Sequence, residues 1–153
     1  MKQVTLLIAG CGARGSGYGR FALANPERAK VVAIAEPIPE RRKAIGDAHN
    51  VSPEYRFNSW EEAARHPRLA DAVLICTQDQ MHEEPAIAFA QLGYDILLEK
   101  PMAPTADACR RIVAAVKKAG VLFAVCHVLR YTAYTRKLKE VLASGIYFLL
   151  YCI

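Results

Sequence analysis

The residues of this chain that could do chemistry fall in short segments, each placed directly after an apolar run. Gly10-Cys11-Gly12-Ala13-Arg14-Gly15 has the spacing G-x-G-x-x-G and follows the run Val4 to Ala9. A glycine at Gly10 permits a tight turn, one at Gly12 lets the backbone approach a phosphate, and one at Gly15 lets helix and strand pack closely. A helix opening at such a loop offers free N–H groups and the positive end of its dipole to a pyrophosphate. Glu36 closes a second apolar run, Val31 to Ala35, at the separation from the loop where a carboxylate accepts hydrogen bonds from adenosine ribose hydroxyls. A carboxylate there repels a 2′-phosphate, so NAD is the expected cofactor. NADP is the alternative that Arg41 or Arg42, just past the acid, would serve by pairing with that phosphate. Arg14 is placed to lean on the pyrophosphate or the adenine, and reads equally as an exposed arginine at a helix entry.

Three further segments follow the same rule. Thr77-Gln78-Asp79-Gln80-Met81-His82 comes after the run Ala72 to Cys76, and Glu99-Lys100-Pro101 after Asp95 to Leu98. Cys126-His127-Val128-Leu129-Arg130-Tyr131 comes at the end of Leu122 to Cys126. In open α/β sheets the carboxyl ends of strands are where ligands bind. A glycine loop with an acid after the second strand also suits S-adenosylmethionine, so a methyltransferase stays open at this point.

The elements that must position these segments alternate. The apolar runs, with a short third one at Tyr55 to Phe57, have the composition of strands buried on both faces of a parallel sheet. Between them the chain reads as helices. The first carries Tyr18, Phe21 and Ala22 on one side and ends near Asn25-Pro26. A polar helix runs from Pro39 to His49, and Ser59-Trp60-Glu61-Glu62 has the form of a capping box. Glu84 to Leu92 is a helix ended by Gly93, and Thr105 caps another whose Cys109, Ile112, Val113 and Val116 form an apolar stripe before Gly120. A last helix carries Tyr134, Leu138, Val141 and Leu142 on one face and stops at Ser144-Gly145. Strict β-α alternation predicts an α/β doubly wound parallel sheet, the Rossmann fold, with about six strands and helices on both faces.

Bulk properties narrow the function classes. A chain of 153 residues is long enough for one domain with a real core and short for two. The net charge of +5 is spread over helix faces without interleaved aromatics, so no nucleic-acid partner is expected. Five cysteines make an odd set with no C-x-x-C pair, which argues against a disulfide framework or a zinc site and for a reducing compartment. No apolar run approaches the roughly 20 residues that cross a bilayer, and the N-terminus lacks the form of a signal peptide. A cytoplasmic location with no membrane partner and no bound metal is expected.

With Glu99-Lys100-Pro101 at a strand end and the glycine loop at the start, the chain resembles the nucleotide-binding domain of the Gfo/Idh/MocA oxidoreductases over about residues 3 to 146. The resemblance implies that Lys100 is catalytic, reaching the reacting oxygen beside the nicotinamide, where an ammonium stabilises a developing alkoxide. It implies that Glu99 orients Lys100 or binds near the nicotinamide, and that Pro101, often cis in the family, sets the turn. Thr77 and His82 match the family's T-P-x-x-x-H segment over the cofactor, with Gln78 in place of the proline. His127, Arg130 and Tyr131 resemble segments on the substrate side. The implied substrate is a sugar-like or cyclitol alcohol. In the family a second domain closes the pocket and supplies the general base. Here residues 1–145 read as the dinucleotide-binding domain and 146–153 as an apolar remnant of that second domain's start. A non-catalytic dinucleotide-binding module is therefore the alternative function. Ile146 to Ile153 is uncharged and β-prone, a template for pairing with another chain, so self-association through it is expected.

Overall fold

A computed structural model describes residues 2–145; the apolar run 146–153, and the self-association expected of it, lie outside the described residues. Six parallel strands form one sheet in the order β3-β2-β1-β4-β5-β6. They are β1 (Val4–Ala9), β2 (Ala29–Ala35), β3 (Arg56–Phe57), β4 (Ala72–Ile75), β5 (Asp95–Leu98) and β6 (Phe123–Val125). The helices between and after them are α1 (Ala13–Ala24), α2 (Pro39–Ala48), α3 (Trp60–Ala64), α4 (Glu83–Gln91), α5 (Ala106–Ala119) and α6 (Ala133–Ala143). The chain leaves β1 in one direction through β2 to β3 and then returns past β1 to β4. Right-handed crossovers therefore put α1 and α2 on one face and α3, α4 and α5 on the other.

Alternation along the strands divides the core between those faces. Leu7, Val73, Ile75, Ile96 and Leu98 pack with Ala63 of α3, Ala86 and Phe89 of α4, and Ile112 and Val116 of α5. Each fully buried side chain of this size contributes roughly 2 kcal/mol relative to exposure. Ile8, Val31, Ile34 and Leu74 turn the other way, towards Ala22 of α1 and the half-buried Ile45 of α2. Over β5 and β6 this α1-side face stays open: Leu97 is half-buried and its register partner Ala124 exposed. Next to it, a cleft of about 310 Å3 lies over β1, β4 and β5, between Leu6, Leu74, Leu97 and Phe21.

Helix ends follow the sequence signals with one shift. Thr105 accepts the Ala108 N–H at 3.2 Å, and Gly120 closes α5 at φ 68°. Ser59 accepts the Glu62 N–H at 3.3 Å, but Glu62 reaches back to the Asn58 N–H rather than to Ser59. Two packing expectations are corrected. The face that α1 buries is Gly15, Gly19 and Ala22, while Phe21 is exposed. The reason is close approach: a Cβ at Gly15 would lie 2.0 Å from the Gly10 carbonyl oxygen, and one at Gly19 2.7 Å from His49 Nε2. The stripe on α6 finds no partner among the described residues: α6 buries none of its own and Tyr134 is 76% exposed. No helix among the described residues is long and apolar enough to cross a membrane.

Gly15→Ala should cost about 3 kcal/mol, because the added methyl meets backbone that cannot yield without shifting β1. Urea denaturation is the measurement: the midpoint should fall with the slope unchanged. A midpoint equal to that of the unmodified chain would show that α1 can lift away from the strand.

Candidate functional site

The parallel register brings the chemistry-bearing segments into one line. Ala35, Ala9, Ile75, Leu98 and Val125 are side by side across β2, β1, β4, β5 and β6. The ladder continues one residue further, with Cys76 N–H on Ala9 O at 2.7 Å, Glu99 N–H on Ile75 O at 2.9 Å and Cys126 N–H on Leu98 O at 2.8 Å. Glu36, Gly10, Cys76, Glu99 and Cys126 therefore leave the sheet next to one another, at the switch point between β1 and β4 and on either side of it.

Gly10 takes φ 94° and sits against Cys76, whose carbonyl oxygen would be 2.6 Å from a Cβ. Gly12 is different, because a Cβ there meets nothing within 4 Å. It is the N-cap of α1 and no side chain caps the helix, so the first-turn amides of Ala13, Arg14 and Gly15 are left to a ligand. Open space over Gly12 beside an uncapped helix N-terminus is the cradle that a pyrophosphate requires.

Glu36 is 3% exposed. Its Oε2 accepts the Cys11 N–H at 2.7 Å and its Oε1 the Ile38 N–H at 3.1 Å. The acid thus holds the glycine loop from within, a task that its place at a strand end does not reveal. Beside it, Gly10, Gly12, Arg41, Cys76 and Thr77 line a cleft of about 350 Å3. The two arginines separate: Arg42 donates to the Glu36 and Pro37 carbonyl oxygens, whereas Arg41 faces the cleft.

A second cleft of about 340 Å3 adjoins β5 and β6, lined by Arg14, Lys100, Cys126, His127, Leu129 and Arg130. Lys100 is exposed and its peptide bond to Pro101 is cis. Glu99, 5% exposed, accepts the Tyr18 hydroxyl at 2.5 Å and the Lys100 N–H at 3.0 Å. Arg14 Nε stands 3.9 Å from the same carboxylate. Tyr131 is 73% exposed and outside the cleft lining. His82 is fully buried, with Nδ1 2.7 Å from Pro101 O and Nε2 3.2 Å from Thr77 O. Its ring ties the Thr77 loop to the proline turn and presents no free nitrogen to a ligand.

Sequence reasoning missed Tyr18, which helical periodicity assigns to an apolar side. Burial followed by the Glu36 carboxylate pushes the Cys11 thiol up to about 12, and burial followed by Glu99 raises Cys76 further. Both are therefore neutral packing groups. The four described cysteines are free, and among the described residues no cluster of His, Cys, Asp and Glu is placed to hold a metal.

Residues 4–127 match the family model described as the oxidoreductase family, NAD-binding Rossmann fold. An inositol 2-dehydrogenase of Ralstonia nicotianae is 33% identical over 90% of this chain and 41% of its own length. A 2,7-anhydro-N-acetylneuraminate hydratase of Mediterraneibacter gnavus is 28% identical over 95% of this chain and 37% of its own. Among solved structures, the WlbA dehydrogenase of Bordetella pertussis, in complex with NADH and UDP-GlcNAcA, superimposes with a TM-score of 0.81. Its identity is 29% over 94% of this chain and 42% of that one. The chain thus spans about two fifths of the length of the relatives it matches.

Gly12→Val should leave the fold intact, since its side chain enters open space, and should abolish dinucleotide binding by filling that space. Circular dichroism and calorimetric titration with NAD check the two halves. Unchanged affinity would reduce the loop to a turn.

Proposed function

Because the chain belongs to the Gfo/Idh/MocA oxidoreductases and carries their NAD-binding Rossmann domain, we propose that it is the cofactor-holding part of an enzyme that oxidises or forms a sugar-like or cyclitol alcohol. The observation that carries this reading is the pair of clefts along one sheet edge, with Glu36 beside the first and Lys100 beside the second. Glu36 would hold the adenosine ribose, with Arg41 facing the same cleft, and Thr77 would lie over the pyrophosphate and nicotinamide ribose. Gly12 and the amides of Ala13 and Arg14 would hold the pyrophosphate, and Glu99, Lys100 and Pro101 the nicotinamide end. When bound, the nicotinamide supplies the hydride donor or acceptor. Lys100 acts at the reacting oxygen, where its ammonium stabilises negative charge as the hydride moves. His127 and Arg130 line the same cleft on the substrate side. His82 serves from below, by fixing the two loops that frame the cofactor. The four described thiols are free, Cys11 and Cys126 buried, which supports a reducing location such as the cytoplasm.

Titration with NAD, NADP and S-adenosylmethionine side by side tests the cofactor. NAD should bind more tightly than NADP, and Glu36→Ala should narrow that gap. The variant should also lower NAD affinity by about tenfold or more, since it removes both a ribose acceptor and the tie to the Cys11 amide. Binding of S-adenosylmethionine in place of NAD would overturn the reading. Turnover with polyols then separates an enzyme from a dinucleotide-binding module without activity.

Self-association with a second copy of this chain belongs to the same proposal. It is supported by the uncharged composition of 146–153, the stripe on α6 that finds no partner among the described residues, and the apolar cleft over β1, β4 and β5. Sedimentation of the full chain beside one ending at Gly145 should show a dimer or larger species only for the former. Equal, monomeric behaviour of both would sink this part.

A further inference from the structure

Tyr18 lies on α1 between Gly15 and Gly19, the two glycines that press the helix onto the sheet. Because they bring the helix axis in, the phenol reaches across the sheet to Glu99, a partner 81 positions away in sequence. The ring is half-buried beside Leu6, Leu74 and Leu97, and only its hydroxyl meets a charged group. Burial first, then Cys126 and Glu99, push the phenol above its ordinary range, so it stays a donor at every accessible pH.

Glu99 is a nearly fully buried carboxylate, and such a group is tolerated only where hydrogen bonds replace its water. One oxygen accepts the Lys100 N–H and the other the Tyr18 hydroxyl at 2.5 Å. Two neighbours remain: the Cys126 thiol, a weak donor, and Arg14, 3.9 Å away with its side chain 59% exposed, an ion pair of small weight. Tyr18 is thus the group from outside the turn that sets where the carboxylate sits, and the carboxylate in turn holds the Lys100 amide.

We infer that Tyr18 is a positioning residue for the nicotinamide end of the site, acting through its hydrogen bond to Glu99 on the Glu99-Lys100-Pro101 turn. The inference rests on the cofactor reading above, in which that turn meets the nicotinamide. Tyr18 does not touch the adenosine side, whose cleft is lined by other residues.

The test compares two ligands that differ only by the nicotinamide ring, NAD and ADP-ribose, by calorimetric titration of the full chain. Tyr18→Phe keeps the ring and removes the donor. It should weaken NAD by about tenfold, the usual worth of a hydrogen bond to a charged group, and leave ADP-ribose within about twofold. Glu99→Gln, which also removes the charge beside Lys100 and Arg14, should lose at least as much NAD affinity, and adding Tyr18→Phe to it should cost little more, because Tyr18 acts through Glu99. Should Tyr18→Phe not fold, Tyr18→Leu carries the test by the same comparison: loss of NAD affinity with ADP-ribose retained supports the inference. NAD affinity unchanged, both ligands weakened equally, or additive losses would each overturn it. If the unmodified chain binds neither ligand, the cofactor reading itself fails, an outcome distinct from these.

Discussion

Ala35, Ala9, Ile75, Leu98 and Val125 lie side by side, and each of the site's loops begins at the residue after one of them. Parallel pairing makes this possible, because all strands point the same way and all their carboxyl ends meet at one edge. A slip of one residue in β5 would move Glu99 off that line and turn its side chain to the other face. The buried faces of β5 oppose such a slip: Ile96 and Leu98 are committed to the α4–α5 side, and Leu97 to the other. Core packing therefore positions the site through register.

Two carboxylates are buried at this edge, and both are satisfied by protein groups. Glu36 accepts two backbone amides, Glu99 one amide and one hydroxyl. Among the described residues no buried side-chain polar atom lacks a hydrogen-bond partner. The consequence is preorganisation: the glycine loop and the lysine turn are each held by an anion before any cofactor arrives. Binding then does not have to order these segments, which lowers its entropic cost. The two clefts differ in kind, the first lined by two glycines of the loop together with Glu36, Arg41 and Thr77, the second by cationic side chains and exposed apolar ones.

Much of this was readable from residue types. The alternation of apolar runs and helices predicts the six-stranded sheet and its order class, because periodicity and crossover handedness leave few alternatives. Gly10, Gly12 and Gly15 could be assigned separate tasks, and the geometry separates them in the same way, crowded at Gly10 and Gly15 and open at Gly12. Local signals such as Thr105 and Gly120 were equally readable, since a cap involves residues within one turn of each other.

What the sequence by itself determined is therefore the set of elements and the identity of the loops that follow them. Only the tertiary structure decided which side chains meet. Tyr18 reads as part of an apolar helix face and proves to be a donor to Glu99. His82 reads as a residue over the cofactor and proves to be a buried tie between two loops. The stripe on α6 reads as a buried face and finds no partner among the described residues. Each of these depends on the distance of a helix or loop from strands remote in sequence. That distance is set by the glycines and side chains packed between them, which no local pattern records.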